Sequence, residues 1–523
     1  MAYTLCGAFV KVDRMHQHVV DLLMHDDGQT AQHYDLITVG GGSGGLGAAG
    51  IARTFGLRTL LIEAKARNIG GDCLNYGCVP SKALIHVSRL AHAARQAARF
   101  GLSVSGEASF AKALRHVHEA QARIREHENA EWLAAQEHQD VVIGWAKFVD
   151  AHTLEVDGRR YTADKIVLAT GSRPRMLDVP GVEALTSLHT NHTFFEQERP
   201  LPQRLLIVGG GAIACELGQA MQRLGSQVTL VNRGERLLER ELKEYSARLQ
   251  QVLEAEGIVC YHETEILRFE GERVAFTSTS SQRLRSRQVD PAAKTRQGER
   301  RIEFDEVLVA IGRDAAPLNM NLEAAGIRTD QHGVMLVDEY YRTTNPRVWV
   351  VGDAMGREKL SHGAEKHNRD LIYNFLSPIK RAHDLAQFSW VTFTSPEVAT
   401  FGLSAKQLTE RGVAFETIEQ PFTDDDRAIA EGYADQAHLT LYVKPQRFGG
   451  AKLLGGTMIA PHAGELIQEL VLAVQEGLSL NALFNKIYAY PVATRINQKA
   501  AFTYRQGGLS AWLKGVIRWW WRR

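Results

Sequence analysis

The sequence predicts an α/β protein built around two Rossmann-like dinucleotide-binding domains. Two observations carry that prediction. A strand, a glycine turn, a small-residue helix and a second strand follow one another over residues 35–63, and the same order recurs over residues 205–231. The chain has 523 residues, which at about 150 residues per domain leaves room for three or four domains. Apolar residues make up 44% and charged residues 23%. That composition is globular, not disordered, collagen-like or coiled-coil.

In the first copy, Asp35 to Val39 reads as a short buried strand. Gly40, Gly41, Gly42, Ser43, Gly44 and Gly45 form the turn. A helix runs from Leu46 to about Phe55, and the apolar run Leu57 to Ile62 ends at Glu63. Gly40 permits the tight turn, Gly42 lets backbone approach a pyrophosphate, and Gly45 lets the helix pack close to the strand. The helix N-terminus offers free N–H groups to phosphates. Glu63 is placed to accept from adenosine ribose hydroxyls. A glycine turn alone is weak evidence, because a purely structural turn looks the same. The flanking strands, helix and acid make the dinucleotide reading the better one.

In the second copy, Leu205 to Val208 is the strand and Gly209 to Ala214 the turn, with Gly209, Gly211 and Ala214 at the three small positions. A helix follows from about Cys215 to Leu224, then the strand Val228 to Val231. Glu63 lies 23 residues after Gly40, and Asn232 lies 23 residues after Gly209. The acid of the first copy is thus replaced by a neutral amide, with Arg233 and Arg236 just beyond. An acid repels a ribose 2′-phosphate and an arginine attracts it. The first copy is therefore expected to hold a cofactor with a free 2′-hydroxyl. The second is expected to take NADPH in preference to NADH, through Arg233 and Arg236. The competing reading leaves both arginines merely solvated.

The stretch Gly70 to Lys82 holds Cys73 and Cys78, separated by four residues. Pro80 suits a first helical turn. Cys78 then sits at a helix N-terminus, where a thiolate is stabilised, and Lys82 adds positive charge. Metal binding lacks a second ligand pair at suitable spacing nearby. A redox-active pair beside a flavin is the better reading.

The net charge is +1, which argues against bulk nucleic-acid binding. Five cysteines are too few for a disulfide scaffold and suggest a reducing compartment. No apolar run reaches the length of about 18 residues needed to span a bilayer, and the first residues lack a signal-peptide pattern. A cytoplasmic protein is expected.

The run Gly70 to Lys82 resembles the active-site signature of the class I pyridine nucleotide-disulfide oxidoreductases, which include glutathione reductase, dihydrolipoamide dehydrogenase and mercuric reductase. The likeness extends over about residues 34–505. It includes Leu168 to Ser172, Ala310 to Arg313 and Val351 to Asp353. The resemblance implies a fold with an FAD-binding domain at 34–183, an NAD(P)-binding domain at 184–310, a central FAD-binding segment at 311–385 and an α+β dimerisation domain at 386–505. Tails at 1–33 and 506–523 flank these. It implies a homodimer that passes electrons from NADPH through FAD to a Cys73–Cys78 disulfide and on to a small acceptor. Cys78 would face the flavin and Cys73 would meet the acceptor. Lys82, paired with Glu216, would stand near the flavin. Gly71, Asp72, Ala146, Thr170, Gly171, Gly312, Arg313, Gly352 and Asp353 would join the glycine turns and Glu63 in holding cofactors. No resident metal is implied.

Two departures bear on the acceptor. Asp72 stands where the family has a threonine. Tyr490 and Arg495 stand where disulfide-reducing members have a histidine and a glutamate. A tyrosine with an ordinary pKa of about 10 is a poor general base near neutrality. Mercuric reductase also carries a tyrosine there, and Glu216 to Ala220 and Ala463 to Gln468 lean the same way. Its C-terminal cysteine pair is missing, since no cysteine follows Cys260. The alternatives are a metal-ion reductase and a membrane-associated redox-sensing protein of low turnover.

Residues 1–33, with His16, His18, His25 and His33, read as a tail. Residues 277–301 read as a basic loop in a hairpin, and Asp424, Asp425 and Asp426 as surface charge. Trp512, Trp519, Trp520 and Trp521 fall among the last twelve residues with Lys514, Arg518, Arg522 and Arg523. Leu509, Trp512, Leu513, Val516 and Ile517 could share a helical face. This composition suits a peripheral contact with the inner membrane surface.

Overall fold

The structure is a computed structural model. It describes residues 31–279, 299–315, 317, 319–384, 386, 388–446, 450–507 and 511–523. His16, His18, His25 and Leu509 lie outside these residues. Contacts divide the chain into two units. One is drawn from Met1–Pro80, Arg115–Pro174 and Arg313–His383, the other from Ser81–Leu114, Arg175–Gly312 and Asp384–Arg523.

The first unit is organised by a seven-stranded sheet. Its central strand is Gln32–Val39, which pairs in parallel with Thr59–Glu63 on one side and Arg159–Leu168 on the other. Asp140–Ile143 and Val348–Val350 extend the parallel part. Lys147–Phe148 and Thr153–Val156 add an antiparallel edge. Leu36, Ile37, Thr38 and Val39 are all buried, as expected of a strand covered on both faces. His33, expected in the tail, instead lies in this strand, and its ring bonds to Thr162 at 3.1 Å. Gln32, His33 and Tyr34 pair with Tyr161, Thr162 and Ala163 of the neighbouring strand, which draws the strand start forward.

The helix Ser43–Thr54 buries Gly44, Gly45, Ala48, Ala49 and Ala52. Small residues let it lie close against the strand it leaves. A side chain on Gly45 would strike the Gly40 carbonyl oxygen.

The second unit repeats the parallel pattern. Arg204–Val208 lies between Gln227–Val231 and Glu306–Val309, flanked by Val259–Tyr261 and Leu188–His189. Thr264–Glu270, Val274–Thr279 and Glu299–Glu303 form a separate antiparallel sheet. The last two flank the expected basic loop, whose residues 280–298 lie outside the described ones. A five-stranded antiparallel sheet closes the chain, ordered Ser389–Thr392, Glu397–Gly402, Ala451–Ala460, His438–Pro445 and Glu416–Pro421. Helices Gln468–Gln475 and Arg495–Gly507 cover it, burying Leu470, Ile496 and Ala500.

Gly45→Ala is expected to cost about 1–3 kcal/mol by overpacking. The readout is the thermal midpoint, and an unchanged midpoint would contradict the close seating of this helix.

Candidate active site

In the first unit the phosphate turn is built from backbone that only glycine fits. Gly40 has φ of 111° and a Cβ there would meet the Ala169 carbonyl. Gly42 is the extended residue that begins the helix Ser43–Thr54. Glu63 is buried, and its carboxylate accepts from Gly41 N–H at 2.6 Å and Lys65 N–H at 3.2 Å. A cavity of about 300 Å³ opens beside the turn, lined among others by Gly40, Glu63, Ala146, Thr170 and Gly171. Thr170 Oγ1 is buried with no hydrogen-bond partner in the protein. Buried hydroxyls are normally satisfied, so this one fits a bound group such as the flavin cofactor.

The cysteine loop is fastened to that turn. Gly70 N–H donates to Gly41 O at 2.8 Å. Gly71 has φ of 62°, and a Cβ on it would lie 2.5 Å from Gly42 Cα. Cys73 lies in the short helix Gly71–Asn75, and Cys78 opens the helix Cys78–Gln96. Cys78 is exposed and Cys73 half-buried. Cys78 Sγ lies 3.3 Å from Ser361 Oγ, at the start of the helix Ser361–Leu376. The hydrogen bond to Cys78, followed by burial, pushes the Cys73 thiol well above its ordinary range. Cys78, at the start of its helix, stands where a thiolate is favoured.

A chain of polar contacts joins the remaining motifs of this unit. Asp72 Oδ1 pairs with Arg313 Nη2 at 2.9 Å, and Arg313 Nε donates to Ser172 Oγ at 2.7 Å. Ser172 Oγ donates to Asp353 Oδ2 at 2.6 Å. Asp353 sits in the 3₁₀ turn Gly352–Met355. Burial pushes its carboxyl up, while the Ser172 hydroxyl and Arg313 pull it back. Asp72 thus contributes a charge pair with Arg313 where a threonine would contribute a hydroxyl. Gly312, with φ of 121°, turns the chain into Arg313.

In the second unit Lys82 Nζ lies 2.7 Å from Glu216 Oε2. Glu216 is 7% exposed at its side chain against 36% for Lys82. Glu216 Oε1 also accepts from Phe393 N–H at 2.9 Å, and Lys82 lies over the Phe393 ring at 4.3 Å. In the second phosphate turn Gly209 has φ of 136°, and a Cβ there would meet the Ala310 carbonyl. Gly211 begins the helix Ala212–Leu224, has open space beside it, and precedes the buried Ala214. These features fit a second dinucleotide. Burial pushes the Cys215 and Cys260 thiols up, Cys260 to about 12.

The two arginines expected at a 2′-phosphate part company. Arg233 is exposed. Arg236 instead turns inward, donating to Glu239 O at 2.8 Å and Glu241 O at 3.2 Å, with its Nε buried. Carbonyls left open by the bend of the chain claim that guanidinium, which spacing could not show.

Tyr490 is 66% exposed. Its hydroxyl donates to Asp426 Oδ2 at 2.9 Å, and Arg495 lies over its ring at 5.0 Å. The Asp426 carboxylate raises the Tyr490 pKa. Asp426, expected as plain surface charge, therefore has a specific partner. Asp426, Ser172 and Ser361 escaped the sequence reading, because their partners lie far along the chain. The terminal helix Ala511–Trp521 exposes Val516, Ile517, Trp519, Trp520 and Trp521. No helix among the described residues is long and apolar enough to cross a membrane.

Residues 34–367 match the pyridine nucleotide-disulphide oxidoreductase family and residues 388–501 its dimerisation domain. The chain is 33% identical over 479 residues to a mercuric reductase of Streptomyces lividans, covering 90% of this chain and 96% of that one. It is 30% identical over 478 residues to a dihydrolipoyl dehydrogenase of Thermus scotoductus, with coverage of 90% and 96%. The solved structure of the HOCl-induced flavoprotein disulfide reductase RclA from Escherichia coli has a TM-score of 0.75 at 23% identity, covering 89% of this chain and 98% of that one. At that identity the likeness concerns the fold.

Lys82→Met is expected to cost about 1–3 kcal/mol, because it strands a buried carboxylate beside one N–H donor. Glu216→Gln keeps an acceptor for Phe393 and leaves Lys82 partly in water, so it should cost less than about 1 kcal/mol. Urea unfolding of both variants checks the order, and the reverse order would contradict it.

Proposed function

We infer that this chain, which belongs to the pyridine nucleotide-disulphide oxidoreductase family, carries electrons from NAD(P)H by way of FAD to the Cys73–Cys78 pair and on to a small acceptor. The single observation that carries this reading is the cysteine loop fastened by Gly70 and Gly71 onto the first phosphate turn. Bound FAD supplies a two-electron carrier between the nucleotide and the cysteines.

The chain's own residues do the rest. Gly40, Gly42 and Gly45 make room for the first dinucleotide, and Glu63 accepts from its ribose. Asp353, held by Ser172, and Arg313, held by Asp72, fix the polar wall of that site. The helix N-terminus at Cys78 holds the thiolate, and Cys73 is the thiol that meets the acceptor. Lys82 and Glu216 form a charge pair, which the family resemblance assigns to the flavin. Residues 388–501 match the family's dimerisation domain, which supports a homodimer.

Tyr490 bears on the acceptor. Its raised pKa keeps the phenol protonated and weak as a base. That favours an acceptor whose reduction does not wait on a general base at this position. A metal-ion reductase is the second reading, supported by the same tyrosine and by the mercuric reductases among the relatives. A cytoplasmic location belongs to the same proposal and is supported by the low cysteine count. The exposed tryptophans of Ala511–Trp521, with Lys514, Arg518, Arg522 and Arg523 and no acidic residue after Gly507, suit an anionic membrane surface.

Two outcomes are expected. Anaerobic NADPH should give the FAD-loaded protein a long-wavelength thiolate–flavin absorbance band, and Cys78→Ser should abolish both the band and turnover across lipoamide, glutathione disulfide, quinones and Hg(II). A variant that keeps full turnover with every acceptor would sink the cysteine route. The full chain should float with phosphatidylglycerol-containing liposomes at low salt, and a 1–506 truncation should bind at least tenfold less. Equal flotation would remove the membrane contact.

A further inference from the structure

The loop after the second strand of the second nucleotide fold, residues 232–241, is folded back on the phosphate turn. Leu238 N–H donates to Gly210 O at 2.8 Å, and Leu238 itself has φ of 46°. A bulky residue in that region is held there by its surroundings. Asn232 packs on Gly210, where a Cβ would lie 2.5 Å from Asn232 Cγ, and its Nδ2 donates to Arg236 O at 2.7 Å and Gly234 O at 3.3 Å.

These contacts fix one more side chain on this loop. The carboxylate of Glu239 stands against Gly234 and fills the space a side chain there would occupy. Gly234 is also the residue whose carbonyl Asn232 touches. Glu239 is exposed, and its own carbonyl takes the inward-turned Arg236. In the first fold the place of Asn232 is taken by Glu63, whose carboxylate sits against Gly41 as Asn232 sits against Gly210. The loop that lacks an acid at Asn232 thus carries one seven residues further along, at Glu239, while one of the two expected cations is withdrawn.

We propose that Glu239 sets the nucleotide choice of the second site, accepting from a free ribose 2′-hydroxyl and opposing a 2′-phosphate, so that NADH is used at least as well as NADPH. The inference rests on the second fold being the pyridine-nucleotide site. A carboxylate binds a ribose hydroxyl through its lone pairs and repels a phosphate dianion. Arg233, exposed on the same loop, supplies the opposite preference. The balance between the two side chains decides the outcome.

The test uses the full FAD-loaded protein and measures binding of NAD⁺ and NADP⁺ by calorimetry, with flavin bleaching by NADH and NADPH alongside. The unaltered protein should bind NAD⁺ at least as tightly as NADP⁺. Glu239→Arg should shift the affinity ratio at least tenfold toward NADP⁺. Glu239→Gln should move it the same way by a smaller factor, and circular dichroism checks that both variants are folded. A ratio that moves less than twofold in both variants, or an unaltered protein that binds NADP⁺ more than tenfold tighter than NAD⁺, overturns the role of Glu239. If neither reduced nucleotide bleaches the flavin of the unaltered protein, the proposed electron route fails instead.

Discussion

The approach of Gly71 to Gly42 is the constraint on which the site depends. A Cβ at Gly71 would lie 2.5 Å from Gly42 Cα, so the two chain segments meet as bare backbone. One segment is the phosphate-binding turn and the other carries both cysteines. The Gly70 N–H to Gly41 O bond closes the same contact from the next residue. The phosphate turn and the cysteine loop are therefore held together by backbone packing and one hydrogen bond, so the cysteines keep a fixed place beside the turn.

Charged side chains are paired in each unit. Asp72, Arg313, Ser172 and Asp353 form one relay of contacts between 2.6 and 2.9 Å. The relay draws on four separate stretches of chain. Lys82 and Glu216 form a second pair in the other unit, with a backbone N–H from Phe393 sharing the carboxylate. Such pairs add modest net stability but become costly when halved. They hold position, and Cys73 and Cys78 are the groups proposed to react. Burial pushes the Cys215 and Cys260 thiols up.

What was legible in the sequence was what backbone spacing dictates. The two glycine turns, their strands and helices, and Cys78 at a helix start are all local patterns. Their boundaries moved by only a few residues, as at Ser43–Thr54 and Ala212–Leu224. Side-chain direction was not legible. Arg233 and Arg236 are three residues apart and chemically alike, yet one faces solvent and the other is claimed by the Glu239 and Glu241 carbonyls. Asp426 and Tyr490 lie 64 residues apart, beyond any periodicity. The same holds for Asp72 and Arg313. The tail boundary at residue 33 failed for a related reason, because the strand start is set by its neighbour Arg159–Leu168 and not by composition.

The most direct measurement of the central claim is a thiol count on the FAD-loaded protein under anaerobic conditions, before and after one equivalent of reduced pyridine nucleotide. The oxidised protein, labelled with iodoacetamide and mapped by mass spectrometry, should show Cys73 and Cys78 unmodified and linked. The reduced protein should show two new thiols per chain, both at these residues. Full flavin bleaching with no new thiol at Cys73 or Cys78 would contradict the account, since electrons would then leave the flavin by another path.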